Sequence, residues 1–351
     1  MNRLETLIWQ NHTLKLLDQN RLPTEVVYHE DKTVEGVFNS IRTMIVRGAP
    51  AIGVAAGYGM VLAARNQKST QKENFLKNLR RQGEYLKTAR PTAVNLAWAV
   101  DRMLEKAETT IMNNKQANID TILSILEDEA ICIHEEDIQI NRQIGLNLLS
   151  LVSDGDTILT HCNAGSLATA GYGTALSVFY VAQEQGISLK AYADETRPRL
   201  QGARLTAFEL SESGVDVTLI TDNMAALVMA QGKIDAVVVG CDRVAANGDV
   251  ANKIGTLGVS LLANHFNIPV YIATPTPTID MNCPTGIDIP IEERSGEEIR
   301  KVNDTAVAPP DVKVYNPAFD VTPARYITAI VTEKGIIRPP FSETLKRIML
   351  S

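Results

Sequence analysis

The sequence has 351 residues, 45% of them hydrophobic and 21% charged. A chain this apolar can bury a sizeable core, which excludes global disorder, and its 22 glycines and 15 prolines are too few for a collagen-like or low-complexity protein. Lys and Arg number 34 against 41 Asp and Glu, giving a net charge of −7 without any basic run, so a general nucleic-acid binder is excluded and only local phosphate sites remain.

At about 100–200 residues per domain, this length predicts two domains. The N-terminal residues contain no continuous apolar segment of signal-peptide type. Short strand-like segments follow at Leu4–Trp9, Thr13–Leu17 and Glu25–Tyr28. Helical periodicity covers 33–46 and 49–65, separated by Arg47-Gly48-Ala49-Pro50, with Pro50 suited to a first helical turn. The longest apolar run, Ala51 to Ala64, is shorter than the roughly 18–20 residues a membrane span needs. A polar amphipathic helix is predicted over 71–87. Arg90-Pro91-Thr92 breaks the pattern before helices over 93–113 and 117–150.

From residue 155 the rhythm changes. Apolar runs at Thr157–His161, Leu189–Ala193, Val217–Thr221, Ala236–Cys241 and Val270–Thr274 alternate with helical segments near 170–185, 202–213, 223–231 and 252–266. This alternation predicts right-handed βαβ units, and continuous rather than alternating apolar runs predict strands buried on both faces. The expected fold is therefore α/β: a mostly helical N-terminal domain over 1–130, then a linker helix and a Rossmann-like parallel-sheet domain over 131–351. The boundary falls on the helix somewhere within 128–150. In the tail, Val314–Asn316 reads as a strand, Tyr326–Glu333 as helix or strand, and a short helix closes the chain after Pro339-Pro340.

The cysteines at 132, 162, 241 and 283 have no CxxC or zinc-ribbon spacing. With no disulfide pattern and no membrane segment, the expected location is the cytosol, with reduced thiols. Glycines 165, 171 and 173 do not make a G-x-G-x-x-G motif, which argues against a dinucleotide cofactor.

In open parallel sheets, ligands bind beyond the carboxyl ends of the strands. Those ends carry His161-Cys162-Asn163, Asp194-Glu195-Thr196-Arg197, Thr221-Asp222-Asn223, Cys241-Asp242-Arg243 and Thr274-Pro275-Thr276. Cys162 precedes a predicted helix whose positive end would favour the thiolate; the alternative is a small buried thiol. His161 would point to the opposite face from Cys162. Asp242 follows an apolar strand, where desolvation suits a general acid, although Asp is also common in turns such as the following Asn247-Gly248-Asp249. Arg243 is either its neutralising partner or a solvated residue. Asn252-Lys253, read as a helix start, can hold a phosphate through free backbone amides and a unit positive charge. The Arg47 and Arg90 loops offer similar anion sites. His134-Glu135-Glu136-Asp137 reads as a solvated helix face rather than a metal site.

Taken in order, Arg47-Gly48-Ala49-Pro50-Ala51-Ile52-Gly53, His161-Cys162-Asn163-Ala164-Gly165, Glu195-Thr196-Arg197-Pro198, Gly240-Cys241-Asp242-Arg243 and Asn252-Lys253-Ile254-Gly255-Thr256 resemble the 5-methylthioribose-1-phosphate isomerase family of methionine salvage. The resemblance extends to Thr332-Glu333-Lys334-Gly335. The wider superfamily includes the α, β and δ subunits of eukaryotic initiation factor 2B and archaeal ribose-1,5-bisphosphate isomerase. The resemblance implies a homodimer with its site in an interdomain cleft. It implies an aldose–ketose isomerase acting on a sugar phosphate without metal or organic cofactor, and without nucleic-acid or membrane partners. Cys162 and Asp242 fall on the catalytic positions. Arg47, Gly48, Ala49, Arg90, Gln201, Asn252 and Lys253 fall on substrate-binding positions, Gln201 being assigned by the resemblance alone.

Overall fold

The computed structural model describes residues 4–69, 71–91, 93–114, 116–302 and 305–350, so Thr92 of the Arg90 loop lies outside the described residues. The chain forms two compact units. One comprises Leu4–Gln139 and Ser166–Gly171, the other Ile140–Gly165 and Tyr172–Ser351.

The first unit opens with an antiparallel sheet of β1 (Leu7–Gln10), β2 (Thr13–Leu17) and β3 (Tyr28–Asp31). The helices α1 (Val34–Arg42), α2 (Ala49–Arg65), α3 (Lys72–Lys87) and α4 (Val94–Asn113) follow, then α5 (Ile119–Leu149), whose last residues belong to the second unit. Thr33 caps α1 by accepting the Gly36 N–H at 3.1 Å. Every residue of α2 from Ala51 to Ala64 is buried. A helix that is apolar all round has no solvent face, so it becomes the centre around which the more amphipathic helices pack. Among the described residues, no helix is long and apolar enough to cross a membrane.

The second unit is a doubly wound α/β domain. Its strands and helices run β4 (Thr157–Thr160), α6 (Ser177–Glu184), β5 (Lys190–Asp194), α7 (Ala207–Glu212), β6 (Asp216–Ile220), α8 (Ala225–Ala230), β7 (Ala236–Val239), β8 (Arg243–Ala245), β9 (Val250–Lys253), α9 (Thr256–His265) and β10 (Val270–Ala273). Then come β11 (Ile279–Asp280), α10 (Glu297–Arg300), β12 (Lys301–Val302), β13 (Thr305–Ala306), β14 (Phe319–Thr322), β15 (Ala329–Thr332), β16 (Gly335–Ile337) and α11 (Phe341–Leu350). The main sheet has the order β16-β15-β10-β7-β4-β5-β6, parallel except for the β15–β16 hairpin. Side chains alternate between two cores, as the pleat requires. Ile158, Ala191, Val238, Ala273 and Val331 pack with α6 on one face, while Leu159, Val237, Val239, Ile272 and Ile330 pack with α8, α9 and α11 on the other.

The tail departs from the expected elements. Residues 314–316 form no strand, and the ambiguous segment after Tyr326 resolves into β15, whose Ala329 to Thr332 are all buried. The larger departure is at 250–253. Residues 243–253 form a β8–β9 hairpin around Asn247-Gly248, extended by β11 and β14 into a four-stranded sheet. The helix expected from residue 252 begins only at Thr256.

Candidate functional site

Strand order reverses between β4 and β7, which pair in parallel with Ile158 opposite Ala236 and Leu159 opposite Val237. This is the topological switch point, where the connections leave a crevice beyond the strand ends. Cys162 lies just past β4 and Asp242 just past β7. The β8–β9 hairpin then turns the chain back, so that the Asp242 N–H donates to Ala251 O at 2.9 Å and Asn252 and Lys253 return to the same edge. Of the nine sequence-predicted site residues, Cys162, Gln201, Asp242, Asn252 and Lys253 belong to this α/β unit; Arg47, Gly48, Ala49 and Arg90 belong to the helical unit.

Lys253 is buried, with 7% of its surface exposed. Its Nζ donates to Ala318 O at 2.9 Å and lies 4.5 Å from the centre of the Phe319 ring. Burial pulls its pKa below the ordinary lysine value, and the nearby Arg294 cation adds to that effect. The charges of Cys162 and Asp242 oppose it. The lysine therefore sits within electrostatic reach of both side chains. Asn252 is also buried, its Nδ2 donating to Thr256 Oγ1 at 3.0 Å. Gln201 is buried at the head of a π-helical turn, Gly202–Thr206, and its Oε1 has no hydrogen-bond partner among the described residues.

His161 is fully buried beneath this edge. Its Nδ1 faces Asp194 Oδ2 at 3.0 Å and its Nε2 faces Ile254 O at 2.8 Å. Because the carbonyl can only accept, Nε2 carries a proton, and a second proton lies between Nδ1 and Asp194. Burial opposes charging of the ring, but the Asp194 hydrogen bond and charge outweigh it and raise the histidine pKa. His161 thus ties the segment after Lys253 to the segment before Cys162. Gly255 completes the joint: it has φ +108, and a Cβ there would lie 2.7 Å from the imidazole.

Several sequence expectations change. Cys162 is half-buried and is followed by a three-residue 3₁₀ turn, Ser166–Ala168, rather than a regular helix. Helix-dipole activation of its thiol therefore has no helix behind it. Asn252 and Lys253 are in a strand, and the first amides of α9 are taken by Asp320, which accepts from Gly255 N at 2.7 Å and Leu257 N at 3.1 Å. A protein carboxylate occupies the anion position that the sequence reading reserved for phosphate. Asp242 is exposed within its unit, so the expected desolvation is not supplied by the strand before it. Arg243 pairs with Asp280 at 3.3 Å. The neighbouring Cys241 stays a thiol: burial, and secondarily the Asp242 charge, push its pKa well above the ordinary thiol value.

In the helical unit, Gly48 precedes α2 with φ +90, and a Cβ there would collide with the Ala168 backbone. Arg47 and Arg90 are half-buried and Ala49 is exposed. Glu135 and Glu136 are exposed as expected, whereas His134 is half-buried with its Nδ1 and Tyr58 Oη hydrogen-bonded at 2.9 Å; Glu136 pairs with Arg102 at 2.5 Å and Asp137 accepts the Ala170 N–H at 2.7 Å. Among the described residues, the cluster with metal-ligand character is His161, Asp194 and Asp222. Most of its atoms are already engaged: Asp222 accepts the N–H groups of Thr196 and Arg197, each at 2.7 Å, and Asp194 Oδ2 faces His161, while Asp194 Oδ1 is buried with no hydrogen-bond partner among the described residues.

Thr196, which accepts the Cys162 N–H, lies in the segment past β5 that the sequence marks, whereas no spacing signals Thr206, which donates to the Cys162 carbonyl. The hairpin was detectable, since Asn-Gly between Val244-Ala245 and Val250-Ala251 is a strong turn signal.

The initiation factor 2 subunit family matches residues 45–339. A 5-deoxyribose 1-phosphate isomerase of Clostridium botulinum (strain Kyoto / Type A2) is 59% identical over 350 residues, covering 99% of each chain. The crystal structure of 5-methylthioribose 1-phosphate isomerase from Pyrococcus horikoshii OT3 superposes with a TM-score of 0.94 at 45% identity, covering 100% of this chain and 97% of that one. A structure described as translation initiation factor eIF-2B, subunit delta, from A. fulgidus gives 0.92 at 42%, covering 99% and 100%.

Proposed function

The chain belongs to the initiation factor 2 subunit family, and from that premise we propose that it is an aldose–ketose isomerase of pentose 1-phosphates lacking a 5-hydroxyl. The substrates proposed are 5-deoxyribose 1-phosphate and its 5-methylthio analogue, each converted to the ribulose 1-phosphate. The observation that carries this reading is a buried cation, Lys253, within reach of both a thiol and a carboxyl at the switch point.

The phosphate on the anomeric oxygen prevents simple opening to an aldehyde. Ring opening needs a proton on the ring oxygen, and Asp242 is the proposed donor. A phosphate dianion bound at Lys253 supports this role, because a nearby negative charge favours the protonated carboxyl. Hydrogen then moves from C2 to C1. Cys162 either removes the C2 proton, giving an enol phosphate, or stabilises a direct hydride shift. Lys253 and Asn252 are proposed to hold the phosphate. The unpartnered Gln201 Oε1 is available to accept from a sugar hydroxyl. In the helical unit, Arg47, Gly48, Ala49 and Arg90 are proposed substrate-binding positions. The proposed assembly is a homodimer located in the cytosol.

The test follows ketose formation by NMR with 5-deoxyribose 1-phosphate, 5-methylthioribose 1-phosphate and ribose 1,5-bisphosphate, without added cofactor. Conversion of the first two is expected, with kcat/KM differing by about 10–200-fold if a small apolar pocket discriminates the methylthio group. Conversion of the bisphosphate alone would replace the substrate class. No conversion of any of them by folded protein would overturn the enzyme reading in favour of a regulatory subunit.

A further inference from the structure

Cys162 has φ +67, a left-handed backbone that L residues other than glycine, Asn and Asp seldom adopt. Both of its backbone polar groups are held by side-chain hydroxyls. Its N–H donates to Thr196 Oγ1 at 2.8 Å, and its carbonyl accepts from Thr206 Oγ1 at 2.6 Å. The two threonines come from different segments, one past β5 and the other at the end of the π-helical turn. Both have zero exposed surface.

Each hydroxyl is itself held. Thr196 Oγ1 donates to Asp194 O at 3.1 Å, and the Thr196 N–H is bound by Asp222. Thr206 Oγ1 accepts from Asn163 Nδ2 at 3.1 Å. That same amide donates to Glu209 Oε1 at 2.5 Å, and Tyr180 Oη donates to Glu209 Oε2 at 2.8 Å. Asn163, Tyr180 and Glu209 are all buried. A sparsely populated conformation persists only where its surroundings over-determine it, and π turns concentrate at functional sites.

We propose that Thr196 and Thr206 are positioning residues that clamp Cys162 in its left-handed conformation and thereby hold its thiol in place at the switch point. The clamp rests on the proposed chemical role of Cys162. Neither threonine touches substrate, so loss of a hydroxyl lowers kcat while leaving KM in place. The Lys253 charge favours a thiolate, so a released Cys162 reacts more slowly with an alkylating agent.

The experiment compares full-length Thr206→Val, Thr206→Ser, Thr196→Val and Thr196→Ser with the unsubstituted protein. Valine keeps the volume and removes the hydroxyl; serine keeps the hydroxyl. Iodoacetamide labelling of Cys162 is followed by peptide mass spectrometry, with the partly exposed Cys132 of the helical unit as internal reference, alongside kcat and KM on the pentose 1-phosphates. The valine variants are expected to label Cys162 about tenfold more slowly and to lose about a hundredfold in kcat, with KM and Cys132 labelling unchanged. The serine variants are expected to behave like the unsubstituted protein. Equal behaviour of valine and serine, or unchanged Cys162 labelling in both valine variants, would overturn the clamp. If one valine variant fails to fold, the other decides. If the unsubstituted protein turns over no pentose phosphate, the proposed function falls and the labelling comparison still decides the clamp.

Discussion

Lys253 sits where charge is costly, with little water, a like charge from Arg294 and an aromatic ring at 4.5 Å. A lysine in such a place deprotonates earlier than one in solution. In the proposed reaction its cation holds phosphate, so deprotonation removes binding. kcat/KM, which reports the free enzyme, is therefore expected to fall as pH rises, beginning below the ordinary lysine value of 10.5. A Lys253→Met variant should raise KM and lose that alkaline limb. An unchanged KM in this variant would remove Lys253 from the phosphate site. Asp242→Asn is expected to keep substrate binding and to lose about 10²–10⁴-fold in turnover, the range of a positioned acid. Cys162→Ser should likewise be nearly inactive. Steady-state kinetics on the two variants checks both: full activity of Asp242→Asn would remove the acid assignment, and full activity of Cys162→Ser would return Cys162 to packing.

At the scale of elements, the β8–β9 hairpin is what makes Asp242 and Lys253 neighbours. Its turn residue Gly248 has φ +90, and a Cβ there would lie 2.5 Å from the Phe341 Cβ. A β-branched residue suits neither the backbone nor the space. Gly248→Val is expected to destabilise the protein by about 1–2 kcal/mol from the left-handed backbone alone, with more from the clash. It should also raise KM, because the hairpin carries Asn252 and Lys253. Thermal unfolding and kinetics on the same preparation test the two effects together. A stability loss with unchanged KM would separate the turn from the site. His161 acts at the same scale, joining the ends of β4 and β5 to the segment after β9 through Asp194 and Ile254.

For the molecule as a whole, the two cores of the α/β unit place the strand ends at fixed heights. Leu159 is fully buried on the face shared with α8, α9 and α11. Leu159→Ala is expected to cost about 2–5 kcal/mol in denaturant unfolding, the range for removing a core leucine without refilling its space. A cost below 1 kcal/mol would mean that this face repacks freely and does not hold β4 in register.

The primary sequence determined much of this unaided. Apolar runs of strand length alternating with helices specified a doubly wound sheet, because each local period admits one burial pattern. Polar residues clustered after those runs, which located Cys162 and Asp242 at one sheet edge. The resemblance to a family added Gln201, which no local pattern marked. Only the tertiary structure decided that Asp320 occupies the amides of α9 and that two buried threonines hold the Cys162 backbone. The reason is range: periodicity reports interactions within a few residues, whereas Thr206 reaches Cys162 across 44 positions and Asp320 reaches Gly255 across 65. Hydrogen bonds of that span leave no local trace, because any buried donor or acceptor satisfies its partner equally well wherever the chain supplies it.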